Sequence, residues 1–275
     1  MPIPCELFLE NMTAIKYPRK TAKSMLHHPD LDETIFLDSI DSTNMEARRR
    51  RSDFAHRNIL LISDEQTAGV GQQGRRWEST ANLGLWMTLF LGRPSTLAHS
   101  LKLLSLYTGI ILQQTVDRLV SKDIRLKWPN DIMIGSLKCG GVLTEIQWQG
   151  NIAISAIIGI GINLSHDSTN FPPDLRHSAT SLRLAGWKYP DRGKFLDLFV
   201  GDFFQQLGEL DMPDRLIANW NSVAYKLNEN VQWRTQAKII DGQFLGINQA
   251  GDALIRIGSA IRNFQNGEIR QLNPS

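Results

Sequence analysis

The sequence predicts an α+β fold, helices backing a buried sheet, followed by a small all-β unit. Three observations carry this. Residues 137–149 and 151–164 are near-continuous apolar runs on either side of Gln149-Gly150-Asn151, a hairpin turn between two long buried strands. A long apolar-periodic stretch from Leu97 to Val120 reads as the principal helix. Beyond Asn228, short alternating runs separated by glycine-containing turns have the spacing of a small β-barrel.

Residues 1–33, with Pro2, Pro4, Pro18 and Pro29 and no sustained period, read as an irregular leader holding at most one short helix. That length is too short for a DNA-binding domain. Residues 34–40 read as a strand, and the Thr43 to Glu46 spacing predicts a capping box opening a helix into Arg48–Arg51. Further strands are predicted at 58–64, 83–91 and 124–128, where β-branched, aromatic and leucine residues cluster. After a polar loop from His166 to Pro190, the spacing of Phe195, Phe199, Phe203, Leu207 and Leu210 predicts an amphipathic helix. Asp211 is the expected cap of another helix, Pro213 to about Asn221, because proline is tolerated in a first turn. The barrel strands are predicted at 231–240, 243–247, 253–257 and 260–264, divided by Asp241-Gly242, Ala250-Gly251 and Gly258. The expected units are a leader 1–33, a catalytic domain 34–226 and a C-terminal domain 227–275.

Composition bounds the function. The 275 residues, 42% hydrophobic and 21% charged, are ordinary for a globular chain. A balance of 30 basic against 28 acidic residues is too even for a chain-wide nucleic-acid footprint. Cys5 and Cys139 belong to no Cys/His cluster suited to zinc, and they fit a reducing cytoplasm. Met1 to Lys23 lacks the apolar core of an export signal, and no run reaches the ~18 apolar residues of a membrane span. A cytoplasmic protein is expected. The Arg48–Arg51 run suits a helix C-terminal end, where cations complement the macrodipole, and would also attract an acidic partner domain.

Four segments carry candidate chemistry. Gln66 to Trp77 places Gly69, Gly71 and Gly74 before Arg75, Arg76 and Trp77. Glycines let backbone amides approach an anion, arginines neutralise phosphate, and an indole stacks on a base. Taken alone the segment also fits a flexible loop. Lys127-Trp128-Pro129-Asn130-Asp131 ends a strand, and a turn at Pro129 would present Lys127, Asn130 and Asp131 on a sheet rim, although Asn-Asp turns are common. Lys138-Cys139-Gly140-Gly141 sets a lysine beside glycines that let a ligand pack on the backbone, with Cys139 as a small packing residue. Gly159-Ile160-Gly161-Ile162-Asn163 closes the next strand with small residues and one amide, which a tightly packed central strand also explains.

In this order, Asp41-Ser42-Thr43-Asn44, Gln66–Trp77, Lys127–Asp131, Lys138–Glu145, Gly159–Asn163 and Asn266-Gly267-Glu268-Ile269 closely resemble biotin protein ligases, over residues 34–272. Lys-Trp-Pro-Asn-Asp followed by Lys-x-Gly-Gly is the specific part. The resemblance implies a mixed sheet like that of class II aminoacyl-tRNA synthetases, an SH3-like C-terminal barrel, and the monofunctional type without a DNA-binding domain. It implies ATP- and Mg²⁺-dependent formation of biotinyl-AMP, then biotinylation of a lysine of the biotin carboxyl carrier protein of acetyl-CoA carboxylase. No DNA or membrane partner is expected, and the expected state is a monomer or weak homodimer.

By the same resemblance, Ser42, Thr43, Asn44, Gln66, Gly69, Gly71, Gln72, Lys138, Gly140, Gly141, Gly159 and Gly161 surround biotin. Arg75, Arg76, Trp77, Lys127, Asn130, Asp131 and Asn163 surround ATP. Lys138 contacts the biotin carboxylate and α-phosphate, and Lys138, Lys127 and Asp131 form the reacting centre, Asp131 also serving Mg²⁺ or the incoming amine. Arg270 is a candidate contact to ATP from the C-terminal unit. One departure stands out: many family members read Gly-Arg-Gly-Arg where this chain has Gly69-Val70-Gly71-Gln72. Retention of the adenylate then falls to Arg75, Arg76 or Gln72. A lipoate ligase shares fold and chemistry and is the nearest rival, while a nucleic-acid binder built on the barrel and Arg48–Arg51 is the alternative from another class.

Overall fold

The computed structural model describes residues 28–92, 94, 101–235 and 238–271. Seven strands form the larger sheet: β1 (Glu33–Leu37), β2 (Asn58–Ser63), β3 (Gly84–Leu91), β4 (Ile124–Lys127), β5 (Asp131–Ile134), β6 (Leu137–Gln149) and β7 (Ile152–Asn163). Their order is β1-β2-β3-β7-β6-β5-β4, and the β1–β2 pair alone is parallel, so the sheet is mixed. The hairpin predicted at Gln149-Gly150-Asn151 is β6–β7, turning on Gly150 at φ +59°.

Strand alternation sorts the apolar residues onto two faces. Ile59, Leu61, Phe90 and Ile157 bury one face against Ala47 of helix α1 (Thr43–Arg49) and Phe54 of the turn that follows it. Leu60, Ile62, Leu89 and Ile158 point to the other face and join the main core. That core is closed by α2 (Leu104–Asp117), α3 (Arg192–Gln205) and α4 (Pro213–Ser222). Phe195, Phe199 and Phe203 are fully buried on α3, worth about 1.5–3 kcal/mol each at ~25 cal/mol per Å².

The C-terminal sheet comprises β8 (Asn230–Arg234), β9 (Ile239–Ile247), β10 (Ala253–Ile257), β11 (Ala260–Phe264) and β12 (Glu268–Gln271), antiparallel in the order β11-β10-β9-β8-β12. It shares the main core. Trp128 and Trp233 have ring centroids 5.1 Å apart, and Trp128 Nε1 donates to Gly251 O at 2.9 Å. Asn221 bridges to the backbone N–H and C=O of Ile247.

Several expectations need correction. No capping box opens α1: Ser42 is the N-cap without a side-chain bond, and Gln66 Oε1 accepts from the Thr43 N–H at 2.8 Å. A distant amide therefore satisfies a helix-start donor. Met212, not Asp211, caps α4, because Asp211 ends a 3₁₀ turn over Leu207–Asp211 that also shortens the predicted amphipathic helix. Within the span predicted as the principal helix, Leu104–Asp117 is α-helical and is preceded by a 3₁₀ turn over Leu101–Leu103, while residues 97–100 lie outside those described. Asp241-Gly242 is not a turn but lies inside β9, where a Cβ on Gly242 would meet Ile255 at 2.5 Å. Strands β5 and β12 were not anticipated. Three of the four arginines are individually engaged: Arg48 with Glu145, Arg49 with Asp41 and Glu46, and Arg50 over the Phe54 ring. Residues 1–27 of the predicted leader lie outside the described chain.

Candidate active site

A cavity of about 530 Å³ opens on the sheet among the start of α1, the 66–77 loop, the β4–β5 corner, the 166–179 loop and β12. Its size suits a drug-sized ligand. Of the residues singled out in the sequence, Ser42, Thr43, Asn44, Gln66, Gly71, Gln72, Arg75, Arg76, Trp77, Lys127, Asn130, Asp131, Lys138, Gly141, Gly159 and Asn163 line it. Gly69, Gly140 and Gly161 lie beneath that surface. A Cβ there would strike Trp77 O at 2.6 Å, Ile162 Cδ1 at 2.4 Å and the Trp77 ring at 2.6 Å, so these glycines allow close packing behind the wall.

The walls divide into three chemical regions. The first is a hydrogen-bonding pocket lined by hydroxyls and amides, Ser42, Thr43, Asn44 and Gln66. Gln66 Oε1 accepts from Thr43 N–H at 2.8 Å and Thr43 Oγ1 at 3.1 Å, while its Nε2 donates to Ser79 at 2.8 Å. Buried Thr88 Oγ1 lies 2.6 Å from Asn44 Oδ1 and 2.8 Å from Thr43 Oγ1. Asn44 Nδ2 donates to Glu145 Oε1 at 3.4 Å, and Arg48 Nε donates to Glu145 Oε2 at 2.6 Å. Gly159 lies under Asn44, where a Cβ would come within 2.3 Å of Oδ1. A chain of polar contacts thus fixes this pocket from the surface inward.

The second region is cationic. Lys138 Nζ meets Asp131 Oδ1 at 2.6 Å and stands 5.0 Å above the Trp77 ring. Backbone bonds to Ser178 and Thr180 tie Lys138 to the 166–190 loop. Glu268 of β12 faces Arg75 at 3.0 Å, Lys127 at 3.6 Å and Arg270 at 3.8 Å. Burial works to raise the Glu268 pKa, but Lys127, Arg75 and Arg270 outweigh it and hold the carboxyl below its ordinary value. Asn130 is locked by Nδ2–H···O=C to Val142 at 2.5 Å. Arg76 pairs with Glu78 at 2.9 Å.

The third region is aromatic. Trp77 and Trp86 meet edge to face at 6.5 Å, Trp86 and His166 at 6.1 Å, and His166 stacks on Phe171 at 4.7 Å. Asn163 Nδ2 donates to Thr180 O at 3.0 Å. Trp77 Nε1 and His166 Nδ1 are buried with no hydrogen-bond partner. Cys139 is enclosed, and burial pushes its thiol up to about 12, which suits its reading as packing.

Sequence reasoning missed Thr88, Ser79, Glu145, His166 and the 170–179 wall. Thr88 was legible as the lone hydroxyl in the otherwise apolar β3, and Glu145 as a carboxylate in an apolar strand; nothing local marked the loop. Among the described residues no group of three His, Cys, Asp or Glu side chains is placed to hold a metal.

Comparison with known proteins fits this arrangement. The model of the biotin/lipoate A/B protein ligase family matches residues 36–163. The bifunctional ligase/repressor BirA of Bacillus spizizenii is 31% identical over 264 residues, spanning 93% of this chain and 80% of that protein. A biotin–acetyl-CoA-carboxylase ligase of Paracoccus denitrificans is 29% identical over 224 residues, 78% of this chain and 91% of its own. The solved Aquifex aeolicus biotin protein ligase in complex with biotin and ATP has a TM-score of 0.74 and 26% identity, covering 87% of this chain and 98% of that one. With a relative so similar along nearly its whole length, this chain belongs to the biotin/lipoate A/B protein ligase family.

Proposed function

We infer that the protein is an ATP-dependent biotin protein ligase. A biotin carboxylate oxygen attacks the α-phosphorus of ATP, pyrophosphate leaves, and biotinyl-AMP remains. The neutral amine of a carrier lysine then attacks the acyl carbon, AMP departs with the bonding pair, and the nitrogen gives up one proton as the amide forms. The carrier is the biotin carboxyl carrier protein of acetyl-CoA carboxylase, in keeping with the name of the Paracoccus relative. The observation that carries the reading is the contiguity of the three regions in one cavity: a hydrogen-bonding pocket, then cations, then aromatic rings.

The two reacting groups are both anionic, so their approach needs compensating charge and alignment. Lys138 supplies a cation at the junction, with Lys127 and Arg75 beside it. Ser42, Thr43, Asn44 and Gln66 suit the ureido ring of biotin, which has both donors and an acceptor. The dithiolane of lipoate has no such groups and would leave those polar atoms unmatched, which disfavours a lipoate ligase. Trp77 and the aromatic end suit adenine. Asp131 orients Lys138 and would offer an oxygen to Mg²⁺, a hard ion that needs few protein carboxylates when it is carried by a triphosphate. Bound there, Mg²⁺ would neutralise phosphate charge. The glycine-bearing 69–77 loop excludes water from the anhydride.

We further read residues 34–226 as the catalytic domain, related to class II synthetases, and 227–275 as an SH3-like barrel. A cytoplasmic location fits the free, buried Cys139. Among the described residues no helix is long and apolar enough to cross a membrane. The test is incubation with biotin, ATP, Mg²⁺ and a biotin carboxyl carrier domain, read by mass spectrometry. Mass gain of one biotinyl group at one lysine is expected; gain with lipoate and none with biotin would overturn the assignment.

A further inference from the structure

We propose that Glu268 is a two-position carboxylate: in the free enzyme it fills an anion site formed by Arg75, Lys127 and Arg270, and an incoming triphosphate turns it away toward Arg234. The identity of that triphosphate as ATP rests on the ligase reading above. Three cations from three parts of the chain converge on this one carboxylate. Arg75 of the 66–77 loop lies 3.0 Å from Glu268 Oε2, Lys127 at the end of β4 lies 3.6 Å from Oε1, and Arg270 of β12 lies 3.8 Å from Oε2. All four residues line the cavity.

Guanidinium and ammonium groups hold carboxylate and phosphate through the same charge-assisted hydrogen bonds. A polyphosphate carries several negative charges where Glu268 carries one, so it is the stronger ligand for the same cations. The cluster also stands where those charges have to lie. Lys127 pairs across β4–β5 with Asp131, and Asp131 holds Lys138, so the three cations adjoin the reacting centre. The phosphates beyond the one attacked extend from that centre. Left in place, the Glu268 carboxylate would press an anion against them, so carboxylate and phosphate occupy the cluster in turn.

The movement falls on the side chain, not on the strand. β12 keeps an unbroken antiparallel register with β8, from Glu268 opposite Arg234 to Gln271 opposite Val231, and Ile269 is fully buried. Opposed residues of such a pair project from the same face, with Cβ atoms about 4.5–5.5 Å apart. Arg234 is therefore directly across from Glu268, on the face away from Trp233 and Ile269. It is exposed and forms an ion pair with no described residue. A rotation of the Glu268 side chain thus leaves the cluster to the phosphates and still meets a cation.

The experiment measures Kd for ATP with Mg²⁺, and for inorganic tripolyphosphate, by calorimetry on the full chain. It compares wild type, Glu268→Gln, Arg234→Gln and the double variant. Glu268→Gln keeps the shape and removes the competing charge, so Kd for both ligands is expected to fall about five- to twentyfold, the scale of one or two partly screened ion pairs. Arg234→Gln removes the alternative partner and should raise both constants about threefold in wild type but leave Glu268→Gln unchanged, a coupling that the four proteins read directly. Were Glu268 needed only to hold Arg75 and Lys127 in place, Glu268→Gln would bind phosphate more weakly; weaker or unchanged binding overturns the proposal. An Arg234 effect equal in both backgrounds also overturns it, because Arg234 would then act on the phosphates without Glu268. If Glu268→Gln melts below the assay temperature, Glu268→Asp, which draws the carboxylate back by one methylene, decides by the same criterion. Failure of wild type to exchange pyrophosphate with biotin and ATP overturns the ligase reading instead, and tripolyphosphate binding still tests Glu268.

Discussion

Replacing Lys138 with methionine removes a charge while keeping the length of the chain. Two unit charges 4 Å apart at an effective dielectric near 20 interact by ~4 kcal/mol. The Lys138 side chain is 34% exposed, so screening trims that figure. Loss of one preorganised contact to a charged transition state typically costs about 10²- to 10³-fold, or roughly 2.7–4 kcal/mol. The two magnitudes agree, and Lys138→Met is expected to lower kcat/KM for ATP–pyrophosphate exchange by about a hundredfold or more. Stability should hardly change, because partly exposed ion pairs contribute only about 0–1 kcal/mol. The 2.6 Å partner sharpens the test. Without Lys138, Asp131 leaves an unmatched negative charge beside an anionic substrate, so adding Asp131→Asn to Lys138→Met should restore about tenfold if Asp131 acts through the lysine. The assay is radioactive pyrophosphate exchange, with thermal melting as the control for folding. Exchange within threefold of wild type in Lys138→Met refutes the assignment of the reacting centre. A double variant slower than the single one refutes the orienting role and leaves Asp131 acting directly on metal or amine.

Glu145→Gln breaks the charged anchor that holds the Asn44 amide and should raise KM for biotin about five- to tenfold with KM for ATP unchanged; equal rises in both, measured by steady-state exchange, would count against the relay from Arg48 to Thr88. Gln72→Arg restores a cation to the cavity wall and should reduce free biotinyl-AMP appearing in the medium, quantified by chromatography without carrier; unchanged leakage would remove Gln72 as its cause. Glu268 has a pKa held below its ordinary 4.5, so its contribution to stability is fully present above that value and is lost as pH falls through the lowered one. Glu268→Gln should accordingly lower Tm at pH 7, and the difference from wild type should shrink on the acid side of 4.5; a constant difference down to pH 3 would show that packing, not charge, is responsible.

Long-range consequences of the sequence were legible where one residue pattern had one physical outcome. The β6–β7 hairpin followed from two apolar runs around a glycine that turns at positive φ, and the α3 phenylalanines announced their buried face by spacing alone. Where a group is satisfied by a partner far along the chain, the local pattern misled. Thr43 looked like the start of a capping box with Glu46, yet Gln66 takes its N–H from 23 residues away. Asp241-Gly242 has turn composition, but Gly242 is needed so that β9 can cross Ile255 closely. The site shows the same division. Its glycines and lysines stand in short motifs, whereas Thr88 and His166 matter through neighbours that only the sheet order and the returning loop bring together.

The charge arrangement explains how such a site is stable before substrate arrives. Arg75, Arg76, Lys127 and Lys138 line one cavity, and gathering them unpaired would oppose folding through mutual repulsion. Each instead faces a carboxylate: Lys138 with Asp131, Lys127 and Arg75 with Glu268, Arg76 with Glu78. Two of the three carboxylates belong to the larger sheet and its loop, but Glu268 comes from β12, so the C-terminal sheet completes the electrostatics of a cavity that the other elements shape. The shared core at Trp128 and Trp233 is what holds that carboxylate at the correct distance, since Trp233 lies on β8, directly paired with Ile269 of β12. Packing between the sheets and charge balance in the cavity are therefore one requirement. A change that loosened Trp128 against Trp233 would reach Lys127 and Arg75 through Glu268 without touching either.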